Sequence, residues 1–401
     1  MTEQERNQLA CELSALCVFR GIHRHKPISA LLDFLSSEGS VQQRMKLFGE
    51  FVYSLAEDGY SFSDFLRRAV YEDENQYIIG TAQGRELPSA LVQNAKAELA
   101  LFSKLTHYTA DAFCEGIKER GSYLPHFACE AVNFETAYAE RLREIGRYGY
   151  GIFASAGMFR VEDGEILPVE AADDITMESF VGYEEERQKV FDNTRALAEG
   201  KSAANVLLFG DAGTGKSSTV KACANRFYAD GVRLIEVRKD QLFSLSRIMG
   251  KIADNPLKFI IFIDDLSFNK NDDCFSMLKA ALEGSASAKA KNAVIYATSN
   301  RRHIVKEHFS DRAEADDVHH SDTVQELMSL SDRFGLTVYF SRPNKALYLE
   351  IVHRLAEKQG FSCSPAELDL QAEAFALAKG SRSPRAAEQF VNSLIQKGGL
   401  A

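Results

Sequence analysis

The sequence has few of the features that mark secreted, membrane-spanning or nucleic-acid-binding proteins. Its seven cysteines are scattered and odd in number, and no CxxC pair occurs, so neither a disulfide framework nor a zinc site is expected. No run of roughly 18 apolar residues is present, and the residues from Met1 to Arg6 lack the apolar stretch of a signal peptide. The formal net charge of −10 gives no overall reason to expect a nucleic-acid partner. We therefore expect a cytoplasmic protein without membrane insertion.

The length of 401 residues exceeds what one hydrophobic core usually organises, which favours two or three domains. Residues 1–145 carry apolar side chains at steps of three and four, for example from Val41 to Leu55 and from Leu91 to Phe102. This spacing is typical of one face of a helix. We predict an all-helical N-terminal domain over residues 1–145, and nothing in its sequence indicates a role.

Residues 146–179 are predicted to form a hairpin and a linker. The dipeptide Asp163-Gly164 lies between two apolar runs, and such a dipeptide is a common signal of a tight hairpin turn. The stretch is also rich in aromatic residues, which we expect to pack the hairpin against a neighbouring element. It would lead from the helical domain into the next domain.

Short apolar runs alternate with longer amphipathic stretches across residues 180–342. Such runs are typical of parallel strands that are buried on both faces, with crossover helices between them. Residues 343–401 carry helical patterns. We therefore predict an α/β domain with a parallel sheet over 180–342 and a helical lid over 343–401. The predicted strands are Val206–Phe209, Leu234–Val237, Phe259–Ile263, Val294–Ala297 and Leu336–Phe340.

A phosphate-binding loop is the most specific motif of the sequence. Residues Gly210–Ser217 match the pattern G-x-x-x-x-G-K-[ST] between a predicted strand and a predicted helix, which indicates a P-loop NTPase. Glycines let the backbone N–H groups point at phosphate oxygens. Lys216 would bring a positive charge to the β- and γ-phosphates of ATP, and Ser217 would offer a hydroxyl to Mg²⁺. The predicted nucleotide-binding residues here are Gly210, Asp211, Ala212, Gly213, Thr214, Gly215, Lys216, Ser217 and Ser218.

Two adjacent carboxylates follow the predicted strand Phe259–Ile263. The carboxyl end of a buried strand is the edge at which ligands bind in open α/β sheets. We expect Asp264 to hold Mg²⁺, directly or through water, and Asp265 to orient and polarise the attacking water. A cap on the following helix is the alternative role for this pair of carboxylates.

A motif that reads guanine in GTPases, N-K-x-D, is matched by Asn269–Asp272. This segment lies only four residues beyond Asp265, which is too close for it to end a separate strand beside the base. We interpret it as a polar loop, and we therefore expect ATP rather than GTP to be the nucleotide.

Three polar residues farther along the chain complete the pattern. Asn300 ends a predicted strand, where its amide could hold the attacking water or contact the γ-phosphate; Arg333 precedes the last strand, and Arg385 begins the last helix. This order resembles that of AAA+ ATPases over about residues 180–396. The resemblance implies that Asn300 is sensor one, Arg333 the arginine finger that reaches the nucleotide of the next subunit, and Arg385 sensor two.

Other roles stay open for these three residues. They are an ion pair of Arg333 with Asp332, a surface position for Arg385, and a helix cap formed by Asn300. Two further arginines, at positions 301 and 302, compete with Arg333 for the role of finger.

The adenine-binding segment of AAA+ ATPases is similar to Val181-Gly182-Tyr183 of this chain. Within the superfamily, the sequence most resembles a bacterial family catalogued as domain of unknown function 815. One difference from most AAA+ proteins is Asp265, where they carry Glu; the shorter side chain bears on the rate of hydrolysis more than on binding. The segments that suggest the family are Val181–Tyr183, Asp264–Phe268, Thr298–His303, Leu330–Gly335 and Ser383–Ala387.

The resemblance implies a homo-oligomer that binds and hydrolyses ATP with Mg²⁺. It also implies that hydrolysis is coupled to the remodelling or loading of a protein or nucleic-acid client. Two other functions are compatible with the same loop. One is a nucleotide-gated binding module with little turnover. The other is a small-molecule kinase, against which the long sensor-like spacing from Asn300 to Arg385 argues.

Overall fold

Contacts between residues divide the chain into two units, Met1–Ser155 and Ala156–Ala401. The computed structural model describes residues 1–115, 123–169, 174–266, 273–283, 290–300, 333–361 and 364–396. The segment Asn269–Asp272 and the arginines Arg301 and Arg302 lie outside the described residues.

The first unit is helical, as its apolar spacing predicts. Polar residues begin several of its helices; Thr2, for example, accepts a hydrogen bond from the backbone of Glu5, and the Glu5 side chain accepts one from the backbone of Thr2. In the described part of this unit, short 3₁₀ segments lie between helices at Arg20–Arg24 and Ala56–Asp58, and another follows the last helix at Gly151–Ala154. The helices are Glu3–Ser14 (α1), Lys26–Ser36 (α2), Val41–Ser54 (α3), Phe62–Glu72 (α4), Gln76–Ala82 (α5), Ser89–Leu105 (α6), Ala110–Phe113 (α7), Phe134–Arg143 (α8) and Ile145–Tyr148 (α9).

Phenylalanine rings fill the core of this first unit. Phe51 of α3 meets Phe62 of α4 edge to face, with 5.3 Å between the ring centroids. Phe51 also meets Phe127 at 5.6 Å and Phe113 at 6.2 Å. Each such pair contributes about 0.5–1.5 kcal/mol beyond the burial of its area. The core therefore joins elements that are distant in the sequence.

Seven strands form one sheet in the described part of the second unit, in the order β2-β1-β4-β5-β6-β3-β7. Neighbouring strands are parallel except β1 and β2. Most residues of the central strands are buried because both faces of the sheet are covered. The strands are Met158–Glu162 (β1), Glu165–Pro168 (β2), Val206–Gly210 (β3), Val232–Glu236 (β4), Lys258–Ile263 (β5), Ala293–Ser299 (β6) and Leu336–Phe340 (β7).

The first two strands form a hairpin that extends this sheet. Asp163 and Gly164 make its turn with φ angles of 49° and 76°, and positive values at both central positions suit the twist of a two-residue hairpin. β1 also pairs in parallel with β4, where Met158 lies opposite Leu234. The sequence indicated the turn but not the pairing with β4, because that pairing is a long-range contact with no local pattern.

The helices of the second unit pack on the sheet and, at the C-terminal end, on one another. Tyr348, Val352 and Phe390 are buried in the core that the last three helices share. None of the helices that the structure describes has the length and apolar character needed to cross a membrane. The helices are Glu184–Ala198 (α10), Lys216–Arg226 (α11), Leu245–Ile252 (α12), Asp273–Glu283 (α13), Lys345–Lys358 (α14), Pro365–Lys379 (α15) and Pro384–Gln396 (α16).

The predicted fold class is confirmed. An α/β domain with a mostly parallel sheet and a phosphate loop carries a helical lid, and a helical unit precedes it in the chain. Because β3, β5 and β6 are parallel, their carboxyl ends meet at one edge of the sheet. The phosphate loop, the two carboxylates and Asn300 follow these three strands, so the topology brings them together.

Candidate active site

The loop between β3 and α11 turns so tightly that glycine is required at three positions. Gly210, Gly213 and Gly215 have φ angles of 135°, 74° and 87°, a region that side chains with a Cβ rarely adopt. At Gly210 a Cβ would also overlap the carbonyl oxygen of Phe340 on the neighbouring strand β7. The glycines of the motif are therefore explained by backbone geometry.

Lys216, at the start of α11, points back into this loop. Its ammonium donates hydrogen bonds to the carbonyl oxygens of Gly210 and Asp211 at 2.9 and 2.8 Å. It donates a third to Oδ1 of Asn300 at 3.1 Å. Burial lowers the pKa of Lys216, and the carboxylates of Asp211 and Asp264 partly offset that effect. The ammonium is thus held at the centre of the loop by uncharged oxygens.

Asp264, just beyond β5, forms a cluster of oxygens with two hydroxyl groups. Ser217 and Thr298 both donate to its Oδ1, at 2.6 and 2.5 Å. A carboxylate beside a hydroxyl at the start of a phosphate-loop helix is a donor set that suits Mg²⁺, which prefers oxygen ligands. Ser217 and Asp264 therefore fit the metal role predicted for them.

Asp265 is held in a different orientation from Asp264. Its φ of 50° lies in the left-handed region, which costs about 1–3 kcal/mol for a residue other than glycine. Its backbone N–H donates to Thr298 Oγ1 at 2.9 Å, which stabilises that conformation. Asn300 Nδ2 donates to Asp265 Oδ1 at 2.8 Å, while Asn300 Oδ1 accepts from Lys216. The Asn300 amide is therefore fixed between a cation and a carboxylate.

A cavity of about 270 Å³ lies over the phosphate loop. Arg385 of α16 lines it, and the Arg385 backbone N–H donates to the carbonyl of Gly213 at 3.2 Å, so the lid touches the loop. The structure thus brings most of the residues predicted for catalysis and metal binding to one space. The lining residues are Ala212, Gly213, Thr214, Gly215, Lys216, Ser217, Ser218, Asp264, Asp265, Thr298, Asn300 and Arg385.

A second cavity, of about 530 Å³, adjoins the loop on the side of the lid. Its apolar wall includes Val181 and Phe180, together with Ile351 of α14. Gly182 and Tyr183 are buried next to this segment without being among its lining residues. Gly182 has a φ of 75°, and a Cβ there would lie 2.7 Å from a methyl group of Leu347, while the Tyr183 hydroxyl donates to the carbonyl of Ser341 at 2.6 Å.

Arg333 lies at the opposite end of the sheet from the loop of its own chain. It precedes β7, whose residues pair in parallel with β3 from Leu336 opposite Val206 to Phe340 opposite Gly210. A strand rises about 3.3 Å per residue, so the whole length of β7 separates Arg333 from the loop. The other candidates for a finger, Arg301 and Arg302, are outside the described residues.

The sequence pattern of a family described as protein of unknown function (DUF815) matches residues 154–398. The chain belongs to the DUF815 family. The match covers the sheet and the lid, and it includes every residue discussed above at the phosphate loop. No curated protein matches the chain.

Solved structures with a similar fold share little sequence with this DUF815 protein. The Thermotoga maritima RuvB Holliday junction branch migration motor aligns at 15% identity with a TM-score of 0.38, over 55% of this chain and 64% of that chain. The replication initiator DnaA bound to AMPPCP and single-stranded DNA aligns at 15% identity with a TM-score of 0.38, over 56% of this chain and 66% of that chain. The DUF815 protein therefore spans less than two thirds of the RuvB chain.

Two buried residues at the site of this DUF815 protein were missed by the sequence reasoning. Thr298 bonds both to the Asp264 carboxylate and to the Asp265 backbone, and only its place near the end of β6 could have suggested it. Arg187 is 5% exposed and lines the larger cavity. An available signal was its position in the first turns of α10, where the helix dipole disfavours a cation.

Proposed function

We propose that this protein binds Mg·ATP at the phosphate loop and hydrolyses it by attack of water on the γ-phosphate. The observation that supports this most is the lining of the 270 Å³ cavity. Loop residues that suit phosphate line this cavity together with Asp264, Asp265 and Asn300. Such a reaction requires the protein mainly to place charges around the γ-phosphate, because the protein takes little covalent part in phosphoryl transfer.

Phosphate binding would use the backbone N–H groups of the loop and the N-terminus of α11. On entry of ATP, the Lys216 ammonium would exchange the uncharged carbonyl oxygens of Gly210 and Asp211 for charged phosphate oxygens. Such charge-assisted hydrogen bonds are the stronger kind. Ser217 and Asp264 would hold Mg²⁺, and the bound ion would supply positive charge that neutralises the phosphates.

Asp265 is the residue proposed to accept the proton of the attacking water. Asn300 keeps the Asp265 carboxylate in place, because the Asn300 amide is itself held by Lys216. Water then forms a bond to the γ-phosphorus while the bond to the β-phosphate oxygen breaks, giving ADP and inorganic phosphate. Arg385 lines the same cavity and is proposed to contact the phosphates as sensor two.

The adenine base is proposed to occupy the apolar part of the 530 Å³ cavity, beside Val181–Tyr183. Phe180 and Val181 line that part from one side, and Ile351 and Leu355 of the lid line it from the other. Apolar walls with a few polar groups are usual for such pockets. A nucleotide that lies between the core and the lid would couple its presence to the position of the lid.

The active form is proposed to be a homo-oligomer whose ATP sites are completed by Arg333 of the next subunit. The position of Arg333 at the far end of β7 supports this, because it cannot meet the nucleotide of its own chain. Turnover would then drive the remodelling or loading of a protein or nucleic-acid client. A nucleotide-gated binding module is the second candidate, and the short side chain at Asp265 favours it.

Two variants separate ATP binding from turnover. Lys216→Ala should weaken ATP binding, because no other lysine lines the described loop cavity. Asp265→Asn should keep ATP affinity and lose turnover by about 10²–10⁴-fold, the usual effect of removing a general base. Calorimetry measures the first effect and phosphate release the second. Lys189→Ala and Asp230→Asn, at exposed positions, serve as matched controls that should change neither quantity.

Three results would count against this assignment. Equal loss of ATP binding in both variants would show that the two roles are misassigned. Tight binding of ATP by the unaltered protein with turnover near zero would select the nucleotide-gated module. Competition by GTP as strong as by ATP would contradict the preference for adenine.

A further inference from the structure

Arg187 of α10 is a buried cation with no acidic partner among the described residues. Its side chain is almost entirely covered, at 5% exposure, and its Nε has no hydrogen-bond partner within the described part of the chain. No carboxylate of the described residues forms an ion pair with it. Burying an uncompensated charge is costly, and a protein usually retains one only where something pairs with it.

The groups that the Arg187 guanidinium contacts directly are uncharged. One terminal nitrogen donates to the carbonyl of Gly182. The guanidinium lies 4.3 Å from the ring centroid of Phe180 and 5.7 Å from that of Tyr183. Burial lowers the pKa of Arg187 to about 10, against an opposing effect of Glu184. The group is therefore still charged at neutral pH, fixed in position, and not neutralised.

The other terminal nitrogen lies beside the phosphate loop. It is 3.5 Å from the place that a Cβ of Gly215 would occupy, one residue before α11 begins. Arg187 also lines the 530 Å³ cavity, between the apolar wall at Phe180 and Ile351 and the loop at Gly215. That is the point at which a bound nucleotide would change from base and sugar to phosphate.

We infer that Arg187 binds the phosphate nearest the sugar, the α-phosphate, of the nucleotide held by the loop. The guanidinium would gain there the anionic partner that it lacks, and its fork of donors suits phosphate oxygens. A role in packing alone explains the site less well, since an uncharged side chain of similar length would fill the space without the cost of burying charge. The inference rests on the proposed nucleotide binding and deepens it by assigning a contact to one phosphate.

Arg187→Met tests this contact, because methionine keeps much of the length and the apolar packing on Phe180 but removes the charge. Binding of ATP, ADP and inorganic triphosphate is measured by calorimetry for the unaltered protein and for the variant. All three ligands carry a phosphate at the α position or its equivalent. We expect each to bind about 10- to 100-fold more weakly to the variant, the usual loss for a hydrogen bond to a charged group.

Two further variants complete the experiment. Arg187→Lys keeps the charge but loses the fork, and it should lose less affinity than Arg187→Met. Arg195→Met is the matched control, because Arg195 lies on the same helix, is exposed and pairs with Asp192; it should bind all three ligands normally. The ligand-free Tm of Arg187→Met should be unchanged or higher, because a buried unpaired charge has been removed.

Each of the other outcomes overturns the inference. Weaker binding of ATP and ADP with unchanged binding of inorganic triphosphate would place Arg187 on the base or sugar. Unchanged binding of all three ligands would show that it contacts no ligand, and a markedly lower Tm of the ligand-free variant would make it a structural residue. If the unaltered protein binds none of the three ligands, the proposed function itself fails, which is a separate result.

Discussion

At the scale of single residues, the site places two adjacent carboxylates in different surroundings. Asp264 accepts hydrogen bonds from Ser217 and Thr298, which keeps it beside the hydroxyl that would share Mg²⁺. The left-handed backbone at Asp265 turns its carboxylate toward Asn300 instead. Thr298 connects the two, since it bonds to the side chain of one and the backbone of the other.

Thr298→Val should reduce turnover while leaving most ATP binding intact. Valine keeps the shape of this buried side chain but removes the hydroxyl, so Asp265 loses a bond that stabilises its strained backbone. We expect a loss of about 1–3 kcal/mol in the free energy of unfolding and a clear fall in phosphate release at saturating ATP. Thr337→Val, an exposed position on β7, is the control. Unchanged turnover in Thr298→Val would show that Asp265 does not depend on this hydroxyl.

The residues that sequence reasoning could predict are those that belong to a spaced motif. Lys216, Asp264 and Asn300 each follow or begin an element in a recognisable order, and the structure brings them to one cavity. Thr298 and Arg187 were not predicted, because their importance comes from contacts between distant parts of the chain. The local signals, a strand end for Thr298 and a helix start for Arg187, are shared by many residues and do not distinguish these two.

At the scale of elements, the phosphate loop depends on how closely β3 approaches β7. The carbonyl of Phe340 occupies the space beside Gly210, and the Asp211 N–H donates to that carbonyl at 3.2 Å. The loop is therefore attached to the edge strand as well as to β3. Any side chain at Gly210 would have to separate the two strands or displace the loop.

Gly210→Ala should destabilise the second unit by at least about 2 kcal/mol, because the new methyl group meets backbone and the φ angle is unfavourable. Gly250→Ala is the matched control, since Gly250 is an exposed helical residue with open space around it. That change should raise the free energy of unfolding by about 0.5–1 kcal/mol. The chain has no tryptophan, so urea unfolding is followed by far-UV circular dichroism. Equal stability of the two variants would contradict the close packing at Gly210.

The elements also differ in how far the sequence could predict them. The strands Val206–Gly210 and Lys258–Ile263 differ by one residue or less at each end from the apolar runs that indicated them, since buried parallel strands are continuous apolar segments. The turn at Asp163-Gly164 was equally clear. The position of the hairpin in the sheet, beside β4, could not be predicted, because the order of strands in a sheet depends on long-range pairing.

At the scale of the whole molecule, the account requires more than one chain. Each subunit would supply a loop with Lys216 at the carboxyl edge of its sheet and Arg333 at the other. A contact in which one subunit's finger meets the next subunit's loop is heterologous, and such contacts close into rings when the rotation allows. ATP bound at each junction would then hold neighbouring subunits in a fixed arrangement.

Mixing two inactive variants is the most direct test of the central claim, that this chain hydrolyses ATP at sites shared between subunits. Lys216→Ala removes the loop's cation, and Arg333→Ala removes the proposed finger; such fingers are worth roughly 10³–10⁵ in rate where they act. Activity regained from two inactive preparations cannot come from a contaminating ATPase, and it assigns both residues at once.

We expect each variant alone to release no measurable phosphate and an equal mixture of the two to regain activity. In randomly mixed oligomers about a quarter of the sites would join an intact loop to an intact finger. Half of the subunits carry an intact loop and half an intact finger, and the two subunits at a site are independent of each other. Native mass spectrometry of the same sample verifies that mixed oligomers form. A mixture that stays inactive although mixed oligomers are present, or a monomer with full activity, would contradict the shared site.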